Sequence, residues 1–164
     1  MQPIELQPEH DLAIREHGRR AFPHECCGFL VGRNEGGAGR VFDVMPAVNS
    51  RGQEELHNRF TITPQAFITA DKAARTKNLD IIGFYHSHPN APARPSQYDL
   101  EHAWPVYAYV IVAVTDGAPA AMTSWVLRED RSQFDEQPIV MAPASAPGSA
   151  HGSTPESKES QTCP

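Results

Sequence analysis

The sequence predicts an α/β fold, in which a single domain holds a mixed, mostly antiparallel β-sheet flanked by helices. The chain has 164 residues and 40% of them are hydrophobic, which suits one domain with a buried core. Segments with the pattern of strands alternate with segments of helical periodicity, with few repeating β-α-β units. The small number of β-α-β units disfavours a doubly wound parallel sheet, and no glycine-rich nucleotide fingerprint is present after a predicted strand.

The N-terminal third is predicted to contain a strand, a helix and a hairpin. A short strand over residues 3–6 precedes a helix over 9–22, whose apolar residues recur at helical spacing and which Pro23 ends. Two further strands, over 26–33 and 40–48, flank the glycine-rich stretch NEGGAG. Strand patterns separated by such a stretch are typical of a β-hairpin.

The middle of the chain is predicted to pass from a loop into a second helix. Residues 49–57 are polar and predict a loop, which a short strand over 60–62 follows. Thr63 is a good N-cap residue, and Pro64 suits the first turn of a helix that extends to Lys77. The cap and the proline together set the start of this helix.

The C-terminal half is predicted to complete the sheet around one short helix. This helix spans 96–103, and the strands span 80–88, 107–115, 121–127 and 137–141. The longest apolar run in the chain, AYVIVAV at 108–114, has 7 residues, whereas a membrane-spanning helix needs about 20. We therefore interpret this run as a buried strand.

Composition and charge exclude several classes of protein. The net charge of −6 provides no basic field for phosphates, so nucleic acid is not an expected partner. The cysteines, Cys26, Cys27 and Cys163, form no C-x-x-C pair, so neither a disulfide framework nor a structural zinc knuckle is predicted. The first residues, MQPIELQPEHDL, lack the basic and apolar regions of a signal peptide, and we expect a cytoplasmic protein that needs no membrane.

The end of the chain differs in composition from the rest. Residues 142–164 read APASAPGSAHGSTPESKESQTCP, with no aromatic residue and no aliphatic residue larger than alanine. Such a segment buries too little apolar area to offset its ordering entropy. We therefore predict a folded domain over 1–141 and a disordered tail over 142–164, with a docking or regulatory role for the tail as an alternative.

Two histidines mark the candidate site. His86 and His88 lie at the end of a predicted strand, where a side-chain period of 2 directs both to the same face. Pro89 ends the strand, and a helix that starts at Ser96 would bring Asp99 back toward the histidines. Two imidazoles and a carboxylate suit zinc and leave a fourth tetrahedral position open.

Simpler explanations exist for each part of this pattern. Two histidines at a strand end are often polar surface residues, and Ser96-x-x-Asp99 is also the pattern of a helix capping box. However, the apolar run IIGF indicates a buried strand. Burying two histidines there costs free energy unless their ring nitrogens have hydrogen-bond partners or bind a ligand. The combination therefore favours a binding site.

The segment HSHPNAPARPSQYD, from His86 to Asp99, resembles the H-x-H-P-x(6)-S-x-x-D motif of the JAMM (MPN-plus) zinc metalloprotease family. A second segment, ECCGFLVG from Glu25 to Gly32, resembles the E-x-x-G-x-L-x-G strand of the same family. The two segments stand in the order of the family, and the resemblance covers about residues 4–140. It implies an MPN-type domain with a cytidine-deaminase-like fold.

The resemblance also implies a role for each residue of the motif. His86, His88 and Asp99 would bind one Zn²⁺ per chain, Glu25 would act as general acid and base on the attacking water, and Ser96 would donate to the developing oxyanion. Cys26 and Cys27 lie beside Glu25, but no histidine is linked to them by a motif, so a cysteine peptidase is disfavoured.

The short segment after Asp99 leaves little room for the insertion that holds ubiquitin in eukaryotic deubiquitinases. The chain therefore resembles the compact prokaryotic members of the family, for which the resemblance implies hydrolysis of the amide bond after the C-terminal Gly-Gly of a ubiquitin-like β-grasp sulfur carrier protein. The extended tail of such a carrier suits binding by strand addition. The alternatives are a deubiquitinase-like isopeptidase on a ubiquitin-like conjugate and a zinc-binding, non-catalytic interaction module.

Overall fold

The computed structural model describes residues 2–50 and 62–143, which form eight strands and three helices. The strands are β1 (Ile4–Leu6), β2 (Cys27–Glu35), β3 (Ala38–Ala47), β4 (Asp80–Pro89), β5 (Ala108–Thr115), β6 (Ala118–Leu127), β7 (Phe134–Gln137) and β8 (Ile139–Met141). The helices are α1 (Pro8–Ala21), α2 (Pro64–Thr76) and α3 (Gln97–His102).

All eight strands belong to one mixed sheet, in the order β7-β6-β5-β4-β2-β3-β1-β8. Four neighbouring pairs are antiparallel, and the pairs β4–β5, β1–β3 and β1–β8 are parallel. Helix α1 packs Ile14 against one face, on a core that includes Tyr85 and Val112. Helices α2 and α3 cover the other face, so the predicted fold class, a mixed and mostly antiparallel sheet flanked by helices, is confirmed.

Local sequence determines where several elements begin and turn. Gly36 and Gly37 form the turn between β2 and β3 and have φ angles of 61° and 78°, which glycine adopts without strain. The hydroxyl of Thr63 accepts a hydrogen bond from the amide of Ala66 at 3.1 Å and caps α2, as predicted. The predicted hairpin and the predicted start of the second helix are both confirmed.

The prediction of one strand over 137–141 is wrong. This stretch belongs to two strands, β7 and β8, which pair with β6 and β1 at opposite ends of the sheet order. Pro138 alone separates them; it has no amide proton for a ladder, while its carbonyl accepts from the amide of Ile4 at 2.9 Å. Because consecutive strands occupy the two ends, the sheet must curl until its ends meet.

Two predictions fall on residues that the structure does not describe. Most of the short strand expected over 60–62 lies outside the described residues, and Ile62 itself is not in a strand. All but the first two residues of the tail predicted over 142–164 are also outside them. Within 2–50 and 62–143, no helix has the length and apolar character needed to cross a membrane.

Candidate metal centre and active site

Strand β4 presents two histidines on the same face of the sheet. His86 and His88 alternate with Tyr85 and Ser87, which point to the opposite face and pack under α1. His86 is fully buried and His88 is 7% exposed. The predicted orientation of the two imidazoles is therefore confirmed.

The chain returns to the histidines through a loop and a short helix. Pro89 is the last residue of β4, and α3 begins after Ser96, which caps it. The capping box predicted from Ser96 and Asp99 is present, because the serine hydroxyl accepts from the Asp99 amide and the Asp99 carboxylate accepts from the Ser96 amide. This cap fixes Asp99 in the first turn of α3, where its side chain is 7% exposed.

The three candidate ligands converge. The Nε2 atoms of His86 and His88 lie 3.0 Å apart, and they lie 3.3 Å from Oδ1 and 3.6 Å from Oδ2 of Asp99, respectively. A tetrahedral zinc ion with bonds of about 2.0–2.1 Å holds its donor atoms about 3.3 Å apart. The donor set and its spacing therefore fit a metal ion, and all three residues are buried.

Contacts around the donor atoms orient them for a cation. His88 Nδ1 lies 2.9 Å from the carbonyl oxygen of Pro92, which can only accept, so Nδ1 carries the proton and Nε2 is directed to the site. Burial lowers the pKa of His86, which favours the neutral imidazole that binds metals. Burial alone would raise the pKa of Asp99, but its electrostatic interaction with His86 and its hydrogen bonds with His86, His88 and Ser96 outweigh burial and hold this pKa well below its usual range.

Glu25 lies just before β2 and is 6% exposed. Burial raises the pKa of its carboxyl group to about 8; the charge of His88 lowers this pKa and that of Asp99 raises it. The structure thus brings Glu25 close enough to both residues for electrostatic coupling. A carboxyl group with this pKa can gain and lose a proton near neutral pH.

The backbone on either side of the Glu25–Cys26 peptide bond is held by side chains. The amide of Cys26 donates to the hydroxyl of Ser87 at 2.9 Å, and the carbonyl oxygen of Glu25 accepts from Asn49 at 3.2 Å. Because Ser87 lies between the two histidines of β4, the segment that carries Glu25 is fixed directly to the strand that carries the candidate ligands.

Ser96 is exposed at the rim of the site. Its hydroxyl donates to Oδ2 of Asp99 at 2.7 Å, so in this structure the hydroxyl proton is directed to the carboxylate of Asp99. The structure brings Ser96 next to the candidate ligands, as the motif implies. Its role as an oxyanion donor stays a prediction.

The adjacent cysteines do not form a nucleophilic site. Cys26 and Cys27 are free thiols that are 3% and 0% exposed. Burial raises the pKa of the Cys26 thiol to about 11 and that of the Cys27 thiol to about 12, which keeps both protonated at neutral pH. Both pack as small buried residues.

An apolar cleft of about 430 Å³ begins at Asp99 and runs between α2 and α3. Aromatic side chains dominate its lining, with Phe67, Phe84, Trp104 and Tyr107 among them. Trp104 is 64% exposed at its edge. A groove of this kind accepts an extended, largely apolar segment of a partner.

The sequence interpretation missed the residues that support the site. The side chains of Ser87 and Asn49 bind backbone groups of Cys26 and Glu25, and Pro92 contributes its own carbonyl oxygen. Because every residue has these backbone groups, no sequence pattern identifies such contacts. Contacts of this type depend on the register of strands that are distant in sequence.

The chain is similar in sequence to two proteins from other prokaryotes. The chain is 33% identical over 90 residues to a protein of Haloferax volcanii named desampylase, a match that covers 54% of this chain and 62% of the relative. It is 36% identical over 107 residues to a probable TtuB-protein conjugate cleaving protease of Thermus thermophilus, covering 65% of this chain and 66% of that one. The chain therefore spans less than two thirds of the length of either relative.

The solution structure of a protein from Desulfitobacterium hafniense has the same fold, with a TM-score of 0.75, 31% identity, and coverage of 85% of this chain and 93% of that one. The model of prokaryotic homologs of the JAB domain matches residues 8–128, a range that contains every residue of the candidate site. The chain belongs to this family of prokaryotic JAB-domain proteins, which confirms the resemblance to the JAMM (MPN-plus) family.

Proposed function

We propose that this protein is a zinc-dependent peptidase or isopeptidase that hydrolyses the amide bond after the C-terminal Gly-Gly of a ubiquitin-like sulfur carrier protein. The observation that carries the proposal is the convergence of His86, His88 and Asp99 beside the buried carboxyl group of Glu25. A metal-binding donor set next to a carboxyl group with a raised pKa is a combination that suits metal-dependent amide hydrolysis.

Zinc is the metal that this donor set suits best. Two imidazole nitrogens and one carboxylate oxygen are typical zinc ligands, and three protein ligands leave one tetrahedral position open. When bound, zinc supplies a Lewis acid that polarises the scissile carbonyl and makes a nearby water more acidic. His86, His88 and Asp99 would hold it, with Pro92 and Ser96 orienting the ligands.

Glu25 is proposed to move the proton. Its carboxylate takes a proton from the attacking water and its carboxylic acid returns that proton to the leaving amine. Its burial excludes competing water, and its pKa of about 8 lies near the working pH of a cytoplasmic enzyme. Ser87 and Asn49 would hold the backbone next to Glu25 in place during both transfers.

Ser96 is proposed to stabilise the negative charge that develops on the carbonyl oxygen. Its hydroxyl is exposed at the rim of the site and rotates about one bond, so it can turn from Asp99 to a substrate oxygen. A single hydroxyl donor of this kind contributes about 3–4 kcal/mol to transition-state stabilisation.

The cleft supports the proposed substrate class. A carrier tail that ends in two glycines is slender near the scissile bond, so it can approach a site that buried side chains surround. The residues before the glycines would then lie along the apolar cleft, where Phe67 and Trp104 offer contact area. The name of the Thermus thermophilus relative, a probable TtuB-protein conjugate cleaving protease, favours a protein conjugate as the substrate.

A cleavage assay tests the proposal. A ubiquitin-like carrier extended by one amino acid beyond Gly-Gly, and the same carrier joined to a lysine side chain, are incubated with zinc-loaded protein. Mass spectrometry should detect the free Gly-Gly terminus from at least one substrate, and a chelator should abolish its formation. Zinc binding without turnover on either substrate would instead indicate the non-catalytic interaction module.

A further inference from the structure

The loop between the two histidines of β4 and Asp99 of α3 is hydrogen-bonded to β6, a strand that contributes no candidate ligand. Residues 90–95 connect β4 to the cap of α3, and the carbonyl oxygen of Ala93 in this loop accepts a hydrogen bond from the hydroxyl of Thr123 on β6. The same hydroxyl accepts from the indole nitrogen of Trp125 at 2.8 Å. Trp125, Thr123 and Ala93 therefore form a continuous hydrogen-bonded chain.

Strand register places Thr123 on the same face as the histidines. His86 pairs with Ile111 of β5, and Ile111 pairs with Thr123 of β6, so the three residues form one row across the sheet. Paired residues point to the same face, and two strand spacings separate the ends of this row by about 10 Å. The loop crosses this row and covers it.

The loop is held from both sides at Ala93, through the two successive peptide groups that flank this residue. The Pro92 carbonyl oxygen accepts from His88 Nδ1 at 2.9 Å, and the next carbonyl oxygen, that of Ala93, accepts from Thr123. The Ala93 side chain is 5% exposed and packs on Ile111 and Ala113. A shift of the backbone at Ala93 would rotate the imidazole of His88 or break its hydrogen bond with Pro92.

We propose that Thr123 is a positioning residue of the metal site, which acts through the backbone of Ala93 and the carbonyl group of Pro92 to hold the Nε2 atom of His88 in place. The inference rests on the proposed function, because it requires that the site bind zinc. Partners that orient a metal ligand change metal affinity by about 10–100-fold when they are removed. Thr123 is linked to His88 through the successive carbonyl groups of Ala93 and Pro92, and we expect its effect to fall within this range.

The test compares three variants by their affinity for zinc. Thr123→Val keeps the shape of the side chain and removes the hydroxyl, whereas Thr123→Ser keeps the hydroxyl. Thr76→Val is the matched control, because Thr76 also donates to a backbone carbonyl, that of Ala73 at 2.7 Å, but on the exposed side of α2. Zinc affinity is measured by competition with a chromophoric chelator, and the thermal stability of each metal-free protein is measured beside it.

Thr123→Val should bind zinc about 10–100-fold more weakly than the wild type, while Thr123→Ser and Thr76→Val should stay within about threefold. A Thr123→Val variant that melts at a lower temperature but retains wild-type affinity would show a merely structural role and overturn the proposal. Equal losses in Thr123→Val and Thr123→Ser would overturn it too, because the hydroxyl would then not matter. If the wild type itself bound no zinc, the metal site would be wrong, and with it the proposed function.

Discussion

Ser96 and Asp99 are joined by three hydrogen bonds. The amide and the hydroxyl of Ser96 donate to Oδ2 of Asp99 at 2.6 and 2.7 Å, and the amide of Asp99 donates back to the hydroxyl at 3.2 Å. Oδ1 is the oxygen nearer to His86. One carboxylate therefore caps a helix with one oxygen and presents the other to the candidate metal site.

Ser96 has two candidate roles, as the N-cap of α3 and as a donor to the oxyanion, and a substitution can separate them. Glycine is nearly as good an N-cap as serine, with a loss of only a few tenths of a kcal/mol, so Ser96→Gly should melt within about 2 °C of the wild type. If the hydroxyl also donates to the oxyanion, the same variant should lose about 10²–10³-fold in kcat. Ser96→Thr, which keeps the hydroxyl, should retain most of the activity.

Steady-state kinetics, thermal melts and zinc content on these two variants decide between the roles. A fully active Ser96→Gly enzyme would show that the Ser96 hydroxyl only caps the helix and does not stabilise the oxyanion. A loss of zinc in Ser96→Gly would assign its effect to the orientation of Asp99.

Glu25→Gln should separate proton transfer from metal binding. The glutamine keeps the shape of the side chain but cannot take a proton, so turnover should fall by about 10²–10⁴-fold. Because Glu25 is not one of the three converging residues, the variant should bind zinc as the wild type does. Glu129→Gln, a change at an exposed residue, is the control and should leave the rate unchanged. A near-normal rate in Glu25→Gln would refute the role of Glu25 in the reaction.

The raised pKa of Glu25 also predicts how the stability of the metal-free protein depends on pH. In the folded state this carboxyl group keeps its proton up to about pH 8, whereas in the unfolded chain it loses the proton near its ordinary pKa of 4.5. Between these values the folded state binds more protons, so the free energy of unfolding falls as pH rises. Glutamine carries no titrating proton and removes this dependence.

The free energy of unfolding of Glu25→Gln, relative to that of the wild type, should therefore increase from pH 5 to pH 8, by about 2–4 kcal/mol. Urea denaturation of chelator-treated protein at the two pH values measures this difference. Glu129→Gln should show no such trend. A difference between Glu25→Gln and the wild type that stays constant with pH would mean that Glu25 ionises normally.

Much of the site could be predicted because it depends on local patterns. The period of a strand places His86 and His88 on one face, and a capping box places Asp99 in the first turn of a helix. The same local rules located the turn at Gly36 and the helix start at Thr63. Each of these features involves residues that are close in sequence.

The features that sequence patterns missed depend on distant strands. The split of residues 137–141 into β7 and β8 follows from the curl of the whole sheet, which no local pattern encodes. The contacts of Ser87 with Cys26 and of Thr123 with Ala93 join residues that are 61 and 30 positions apart. They involve backbone groups, which every residue possesses, so no residue pattern identifies them.

The central claim is that His86, His88 and Asp99 form the zinc site of a hydrolase, and zinc stoichiometry tests it most directly. Elemental analysis of the purified protein, after dialysis against a slight excess of zinc and then against buffer, should give one zinc per chain in the wild type and in Glu25→Gln. His88→Ala should retain almost none, because a third of the donor set and its support from Pro92 are lost. One zinc per chain in folded His88→Ala would contradict the account.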